Sequence, residues 1–151
     1  MDKPPVASIL IVDDDGDLLE VLKFVLEDAG YQTFAASSGA DALAMAAKES
    51  IDLVILDISM AAMSGIEVAR ALRADARTAG ILIALHTGRS EEEVSSQFAD
   101  FDLFMPKVDD AEVLLRRLSV ALESRQSILR GQPMDQAGAP VLPDERVESE
   151  L

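Results

Sequence analysis

The chain has 151 residues, 49% of them hydrophobic and 27% charged, which is the composition of one ordinary globular domain. Its net charge of −15 would repel a phosphate backbone over most of the surface, so direct nucleic-acid binding is not expected. The absence of cysteine excludes disulfides and thiolate chemistry, and the single histidine, His86, excludes a zinc site built from several histidines.

The two ends of the chain lack the patterns of a folded core. Residues 1–6 form an N-terminal lead, in which Pro4 and Pro5 cannot start a strand ladder. No leader segment stands there and no apolar run approaches the ~20 residues of a membrane span, so we expect a cytoplasmic protein without membrane insertion. The segment 131–151 is rich in proline, glycine and acidic residues, which predicts a disordered acidic tail.

Between these ends, apolar runs alternate with segments of helical periodicity. Strands are predicted at 7–12, 31–35, 51–56, 81–85 and 101–105, the second of them more exposed than the first. A helix is predicted after each strand: from the acidic cluster at 13–15 to Gly30, from Gly39 to about Lys48, from Gly65 to about Ala74, from Ser90 onward, and from Asp109 to about Arg130. Five such units predict a doubly wound five-stranded parallel sheet with five helices and right-handed crossovers.

Single residues mark the ends of two of these helices. Gly30 supplies a C-terminal stop for the first helix. Ser90 and Glu93 form a capping box at the start of the fourth helix. That helix is otherwise polar, with Val94 and Phe98 as its main apolar residues, so we expect it to pack weakly.

Polar side chains stand at the ends of four predicted strands: Asp13 and Asp14 after the first, Asp57 after the third, Thr87 after the fourth and Lys107 after the fifth. In a doubly wound sheet these ends meet at one edge, near the point where the strand order reverses. Carboxylates brought together there raise one another's pKa unless a cation shares the site. Since the ligands on offer are hard oxygens, the expected cation is Mg²⁺.

A carboxylate held beside Mg²⁺ is well placed to attack phosphorus, because the cation neutralises the phosphoryl oxygens during in-line transfer. Lys107 offers a movable positive charge to another of these oxygens. Thr87 can donate a hydroxyl hydrogen bond to a third, and Gly88 beside it leaves room for the group to enter. This chemistry makes Asp57, at the end of a buried strand, the candidate phosphoacceptor.

These residues resemble the receiver domain of bacterial two-component response regulators. The motifs occur in that family's order and approximate spacing, over about residues 7–125: Val12-Asp13-Asp14-Asp15, Leu56-Asp57 followed by Met60 and Gly65, His86-Thr87-Gly88, and Lys107. The resemblance implies a flavodoxin-like (βα)5 domain over 7–130, in which Asp57 accepts phosphate from a histidine kinase or a histidine phosphotransfer protein. It also implies that Asp14 and Asp57 ligate Mg²⁺ directly, Asp13 through water, and Ser59 through its backbone carbonyl.

The resemblance further implies a switch pair, Thr87 and Phe104. On phosphorylation Thr87 would move toward the phosphoryl group and Phe104 would swing inward, which would reshape the face of the fourth helix, fifth strand and fifth helix. The chain is then expected to be a stand-alone regulator, a monomer or weak dimer, whose switched face binds an unknown protein partner, or which serves as a phosphate shuttle or sink. Beyond its own phosphoryl transfer and dephosphorylation, no enzyme activity is expected.

Three positions depart from the family pattern. The usual proline four residues after the phosphoacceptor is Ala61, which leaves that loop less rigid. The usual Lys-Pro is Lys107-Val108, so the cis peptide expected there is predicted to be missing. Phe104 lacks the hydroxyl of the family's common tyrosine, so its position must depend on packing alone.

Two other interpretations stay open. The run Asp13-Asp14-Asp15-Gly16-Asp17 resembles the first motif of haloacid-dehalogenase-type phosphatases, with Asp13 as nucleophile and Asp15 as acid/base, but this leaves Asp57 without a role. The second is a receiver-like binding module that does not signal through phosphate, which the departures at Ala61 and Val108 keep open. His86, alone at a strand end, is interpreted as structural.

Overall fold

The computed structural model describes the backbone of residues 7–129 and the side chains of residues 7–125. The predicted N-terminal lead and acidic tail lie outside these residues. The chain divides into two compact units, one ending at Leu115 and the other beginning at Arg116. The sheet, the first four helices and the start of the fifth belong to the first unit.

Strands and helices alternate through the described residues. The strands are β1 (Ser8–Val12), β2 (Gln32–Ala36), β3 (Leu53–Leu56), β4 (Leu82–Thr87) and β5 (Leu103–Pro106). The helices are α1 (Gly16–Asp28), α2 (Gly39–Lys48), α3 (Gly65–Ala74), α4 (Glu91–Ser95) and α5 (Ala111–Leu129). All strand pairs are parallel, in the order β2-β1-β3-β4-β5. The predicted five-stranded parallel sheet with five helices is confirmed.

The central strands β1, β3 and β4 are buried almost throughout, which is why their sequences are unbroken apolar runs. On one face of the sheet, Leu10, Leu56 and Leu85 belong to a core cluster that also contains Ala42 of α2 and Val68 of α3. β2 lies at one edge of the sheet and is largely exposed or half-buried, in agreement with the prediction of a more exposed strand. The packed centre fixes the relative positions of the strand ends.

The predicted glycine stop of α1 and the predicted Ser90 cap of α4 are confirmed. Gly30 has a φ of 100°, and across it the N–H of Tyr31 donates to the carbonyl of Leu26 at 3.1 Å. At α4, the hydroxyl of Ser90 accepts the N–H of Glu93 at 3.2 Å. Although α4 is short and polar, the two apolar side chains predicted there are both buried in the core cluster.

An arginine near the end of α3 ties down the connection between α4 and β5, residues 96–102, which we call the 96–102 connection. The guanidinium of Arg73 donates to the carbonyl of Asp100 at 3.2 Å and to the carboxylate of Asp102 at 2.8 Å. It also donates to the carbonyls of Ala79 and Ile81 at 3.0 and 2.6 Å. One turn earlier in α3, the guanidinium of Arg70 donates to the carbonyl of Gln97 at 2.6 Å. This connection is therefore held by side chains from a neighbouring helix.

No helix within the described part of the chain combines the length and apolar character needed to cross a bilayer.

Candidate functional site

The strand order puts the sequence-predicted residues at one edge of the sheet. From β1 the chain crosses to β2 on one side, whereas β3, β4 and β5 lie on the other, so the order reverses between β1 and β3. Asp13 follows β1 and Asp57 follows β3, which are hydrogen-bonded neighbours. The N–H of Asp57 donates to the carbonyl of Val12 at 2.9 Å, which holds the two strand ends together. This is the position at which doubly wound sheets place their reactive groups.

Three carboxylates form a compact acidic cluster there. One oxygen from each of Asp13, Asp14 and Asp57 lies within 4.8 Å of the others. The side chains of Asp13 and Asp57 are 3% and 4% exposed, whereas Asp14 is an exposed residue. The N–H of Asp15 donates to Oδ1 of Asp13 at 2.9 Å, and Asp15 itself caps α1. The predicted acidic site is thus brought together by the fold.

Lys107 reaches into this cluster from the end of β5. Its backbone N–H donates to the carbonyl of Thr87 at 2.9 Å, which fixes the start of the loop. Its Nζ lies 3.1 Å from Oδ2 of Asp13 and 3.2 Å from Oδ1 of Asp57. The peptide between Lys107 and Val108 is trans, as predicted, since no cis peptide occurs among the described residues. One ammonium group therefore serves two carboxylates.

The electrostatics follow from this sharing. Burial, and next the negative charge of Asp13, raise the pKa of Asp57 above its usual 3.8, although Lys107 and the backbone N–H of Ser59 act to lower it. Burial acts to lower the pKa of Lys107, but its hydrogen bond to Asp13 and the charges of both carboxylates outweigh burial, so that pKa is raised. The charged form of Lys107 is therefore favoured, whereas the attraction of Lys107 does not fully offset the effects of burial and of Asp13 on Asp57.

The donor set fits a divalent hard cation. Three carboxylates against one ammonium leave a surplus of two negative charges when all four groups are ionised. All three candidate ligands offer oxygen, and the cluster contains neither histidine nor cysteine. These are the ligands that Mg²⁺ prefers. Ser59 lies two residues beyond Asp57 with its backbone beside the cluster, and its predicted role as a carbonyl ligand stays a prediction.

The predicted switch residues Thr87 and Phe104 lie on adjacent strands. Thr87 ends β4, is 1% exposed, and its hydroxyl accepts the N–H of Arg89 at 3.1 Å. Phe104 is half-buried on β5, pairs in register with Leu85, and its ring lies 6.1 Å from that of Phe101. Because β4 and β5 are parallel and side chains alternate, Thr87 and Phe104 face the same side of the sheet. Their movement on phosphorylation stays a prediction.

The loop after β3, residues 57–64, borders the acidic cluster and is called here the Asp57 loop. The N–H of Ala61 donates to Oδ2 of Asp14 at 3.3 Å. The next residue, Ala62, has a φ of 64°, the left-handed region that disfavours any residue with a Cβ. At the end of the loop, Gly65 donates its N–H to the carbonyl of Ile58 at 2.9 Å, and a Cβ on Gly65 would collide with the carbonyl of Asp57.

His86 is buried near the end of β4, next to Thr87. Burial, and next the positive charge of Lys107, lower the pKa of His86, while Asp13 and Asp109 act to raise it. These surroundings favour the neutral imidazole, and the structural role expected for His86 stays a prediction.

Sequence reasoning missed two contributors to the site. One is the backbone N–H of Ala61, which donates to Asp14. The sequence did contain a signal for it, namely an alanine in place of the usual proline, which has no N–H to donate. The other is Asp15, which the sequence suggested only as an acid/base, and whose backbone N–H donates to Oδ1 of Asp13. That contact is an Asx-turn, a preference of Asp and Asn side chains, so Asp13 itself carried the signal.

Comparisons with known proteins agree with this geometry. A profile of the family described as "Response regulator receiver domain" matches residues 9–119. Protein PilH of Pseudomonas aeruginosa is 33% identical over 119 residues, which cover 78% of this chain and 98% of PilH. The transcriptional regulatory protein KdpE of Mycobacterium tuberculosis is 35% identical over 114 residues, 76% of this chain and 50% of KdpE. The chain therefore spans about half the length of KdpE and nearly all of PilH.

Among solved structures, the response regulator protein TrrA from Thermotoga maritima in complex with Mg²⁺-BeF has a TM-score of 0.70 and 31% identity. The match covers 76% of this chain and 98% of that chain. The family match over residues 9–119 contains the three carboxylates of the acidic cluster together with Thr87 and Lys107.

Proposed function

The chain belongs to the response regulator receiver domain family, and from this premise we propose that Asp57 is the phosphoacceptor of a two-component signalling pathway. The observation that carries the proposal is the position of Lys107, whose Nζ lies within 3.2 Å of carboxylate oxygens of both Asp13 and Asp57 beside Asp14. Buried acidic groups that share one lysine at a strand-order reversal are suited to hold and transfer a phosphoryl group.

The phosphodonor is proposed to be a phosphohistidine on a histidine kinase or a histidine phosphotransfer protein. A carboxylate oxygen of Asp57 attacks the phosphorus; the P–O bond forms as the P–N bond breaks. The imidazole nitrogen leaves with the electron pair and takes up a proton. Lys107 and the N–H of Ser59 favour the ionised, nucleophilic form of Asp57.

Asp13, Asp14, Asp57 and the carbonyl of Ser59 are the groups proposed to hold Mg²⁺, with Asp13 acting through water. When bound, Mg²⁺ supplies positive charge to the phosphoryl oxygens during transfer. Lys107 then moves from its shared position between the carboxylates to a phosphoryl oxygen, which keeps the added charge paired. The hydroxyl of Thr87 has a donor hydrogen to give to a third oxygen, because its contact with Arg89 uses only its acceptor side.

The proposed output is a change in the surface formed by α4 and β5. Thr87 moves toward the phosphoryl group, and Phe104, which faces the same side of the sheet, swings into the space released. A protein partner then distinguishes the two states of this surface. A pull-down that compares the wild-type chain with Asp57→Asn under phosphorylating conditions would identify such a partner.

Loading of the site tests the proposal directly. We expect beryllofluoride with Mg²⁺ to bind the wild-type chain, and acetyl phosphate with Mg²⁺ to add one phosphoryl group, seen by intact mass. Asp57→Asn should abolish both, because the proposal makes the carboxylate of Asp57 the acceptor and the amide of asparagine is not a nucleophile for phosphorus. Asp28→Asn, which changes an exposed aspartate at the end of α1, is the matched control and should load normally.

Loading that survives Asp57→Asn but is lost in Asp13→Asn would overturn the proposal, since it would make Asp13 the nucleophile, as in the phosphatase interpretation. A wild-type chain that takes up neither beryllofluoride nor phosphate would favour a binding module that does not signal through phosphate.

A further inference from the structure

Asp14 differs from the other two carboxylates of the acidic cluster in how it is held. Asp13 receives the N–H of Asp15 and the ammonium of Lys107, and Asp57 shares that ammonium; both are buried. Asp14 is exposed, and within the described residues the hydrogen bond recorded for its carboxylate comes from the N–H of Ala61 at 3.3 Å. The Asp57 loop therefore determines how this carboxylate is oriented.

This contact depends on a sequence departure. A proline at position 61, which is the family's usual residue, has no N–H and could not make it. Two backbone hydrogen bonds hold the loop in the conformation that makes this contact. The N–H of Met63 donates to the carbonyl of Ala61 at 2.7 Å, and the N–H of Gly65 donates to the carbonyl of Ile58 at 2.9 Å. Between them, Ala62 holds a left-handed φ of 64°. Such a conformation costs about 1 kcal/mol and persists only where the surrounding contacts enforce it.

We propose that the backbone N–H of Ala61 is a positioning group for the divalent-cation site, which orients Asp14 by binding one of its two oxygens and leaves the other to ligate the cation. The inference rests on the proposed function, since it assumes the Mg²⁺ site. Hydrogen bonds from outside the ligand set commonly fix a ligating carboxylate and raise metal affinity. In this chain the backbone N–H of Ala61 orients the carboxylate of Asp14, whereas a proline at position 61 would stiffen the loop but make no such hydrogen bond.

Mg²⁺ alone, titrated by calorimetry into the wild-type chain, Ala61→Pro and Ala61→Gly, tests this inference. Ala61→Pro removes the N–H and should weaken Mg²⁺ binding about tenfold, whereas Ala61→Gly keeps the N–H and should stay within about twofold of wild type. Mg²⁺ affinity in Ala61→Pro that equals or exceeds that of wild type would overturn the inference. A wild-type chain that fails to bind Mg²⁺ would instead overturn the proposed function.

A second measurement covers the case in which Ala61→Pro does not fold. Without metal, the amide of Ala61 should exchange with solvent several-fold more slowly in wild type than in Asp14→Ala, because the carboxylate is its acceptor. The amide of Met60, which donates to the carbonyl of Ile58 at 3.1 Å, is the control and should exchange equally in both. Equal exchange of Ala61 in the two proteins would show that the contact does not form and would overturn the inference.

Discussion

The Asp57 loop and the 96–102 connection are both surface segments, but they are held by different forces. The 96–102 connection is fixed by the charged side chains of Arg70 and Arg73, which reach its carbonyls and carboxylates from α3. The Asp57 loop is held by its own backbone hydrogen bonds, by one left-handed residue and by a contact to Asp14. Hence the first segment depends on groups with no part in the site, whereas a change of charge at the carboxylates acts on the second directly.

The substitution expected to destabilise the Asp57 loop most is Gly65→Ala. The added Cβ would collide with the carbonyl of Asp57 and force the backbone apart, so we expect a loss of about 3 kcal/mol in the free energy of unfolding. Urea denaturation measures it. Gly16→Ala is the matched control, because a Cβ there meets no atom within 4 Å, and it should leave stability nearly unchanged. Equal losses in the two variants would contradict the close approach at Gly65.

The 96–102 connection should break most readily at Arg73→Ala. Its side chain is only 18% exposed, and its guanidinium makes ion pairs with Asp100 and Asp102 besides its contacts to carbonyls. We expect a loss of about 2 kcal/mol in urea denaturation, with phosphoryl loading of the surviving folded protein unchanged. Arg77→Ala, which removes a 70% exposed arginine paired with Asp75, should change stability far less, because solvent screens an exposed ion pair. Loss of loading in Arg73→Ala would show that the two segments are coupled.

Asp57→Asn should stabilise the chain in the absence of Mg²⁺. Since the folded-state pKa of Asp57 is raised above 3.8, its protonated form is favoured by folding, and stability falls as the pH rises from 3.8 to the folded-state pKa. The gain in Asp57→Asn should therefore grow over this window and vanish below about pH 3.8. Each unit of elevation is equivalent to about 1.4 kcal/mol.

Thermal denaturation across this pH range, with a chelator present, measures the effect. Asp75 supplies a control of opposite sign, because hydrogen bonds from Arg77 lower its pKa to about 2. Its stabilisation is present above 3.8 and lost as the pH falls through about 2, so Asp75→Asn should destabilise slightly at neutral pH. A destabilised Asp57→Asn at neutral pH would contradict the charge surplus at the site.

The smallest expected effect is at Ala62. Glycine adopts a φ of 64° without a Cβ penalty, so Ala62→Gly should raise the free energy of unfolding by about 0.5 kcal/mol. Ala61→Gly, next to it and outside the positive-φ region, should instead lower stability by a similar amount. Denaturation curves recorded side by side check both signs, and a destabilised Ala62→Gly would contradict the strained conformation.

The sequence predicted the sheet and the acidic site because both depend on simple patterns. Unbroken apolar runs mark buried parallel strands, and the residue that follows each run must appear at the same edge of the sheet. Asp13, Asp57, Thr87 and Lys107 were found in this way. Their mutual distances could not be read from the pattern, because they depend on the packing of the strands.

The 96–102 connection shows what pattern reading leaves out. Arg73 looks like any solvated lysine or arginine on an amphipathic helix, and its four acceptors come from residues 79–102, brought to it only by the fold. Strand bounds also shifted: Thr87 lies within β4 and not just after it, because its backbone pairs with Pro106 of β5. The ends of a strand depend on its pairing with a strand that is distant in sequence, and the local sequence does not contain that information.

The two negative charges left over at the acidic cluster link metal binding to the folding equilibrium. Unfolding disperses the carboxylates, so a cation bound at the proposed site adds its binding free energy to that of the fold, about 2.7 kcal/mol at a free concentration one hundred times its dissociation constant. The melting temperature of this chain would then rise with the magnesium concentration of its surroundings. The same titration in Asp57→Asn would show how much of that rise depends on the carboxylate of the proposed phosphoacceptor.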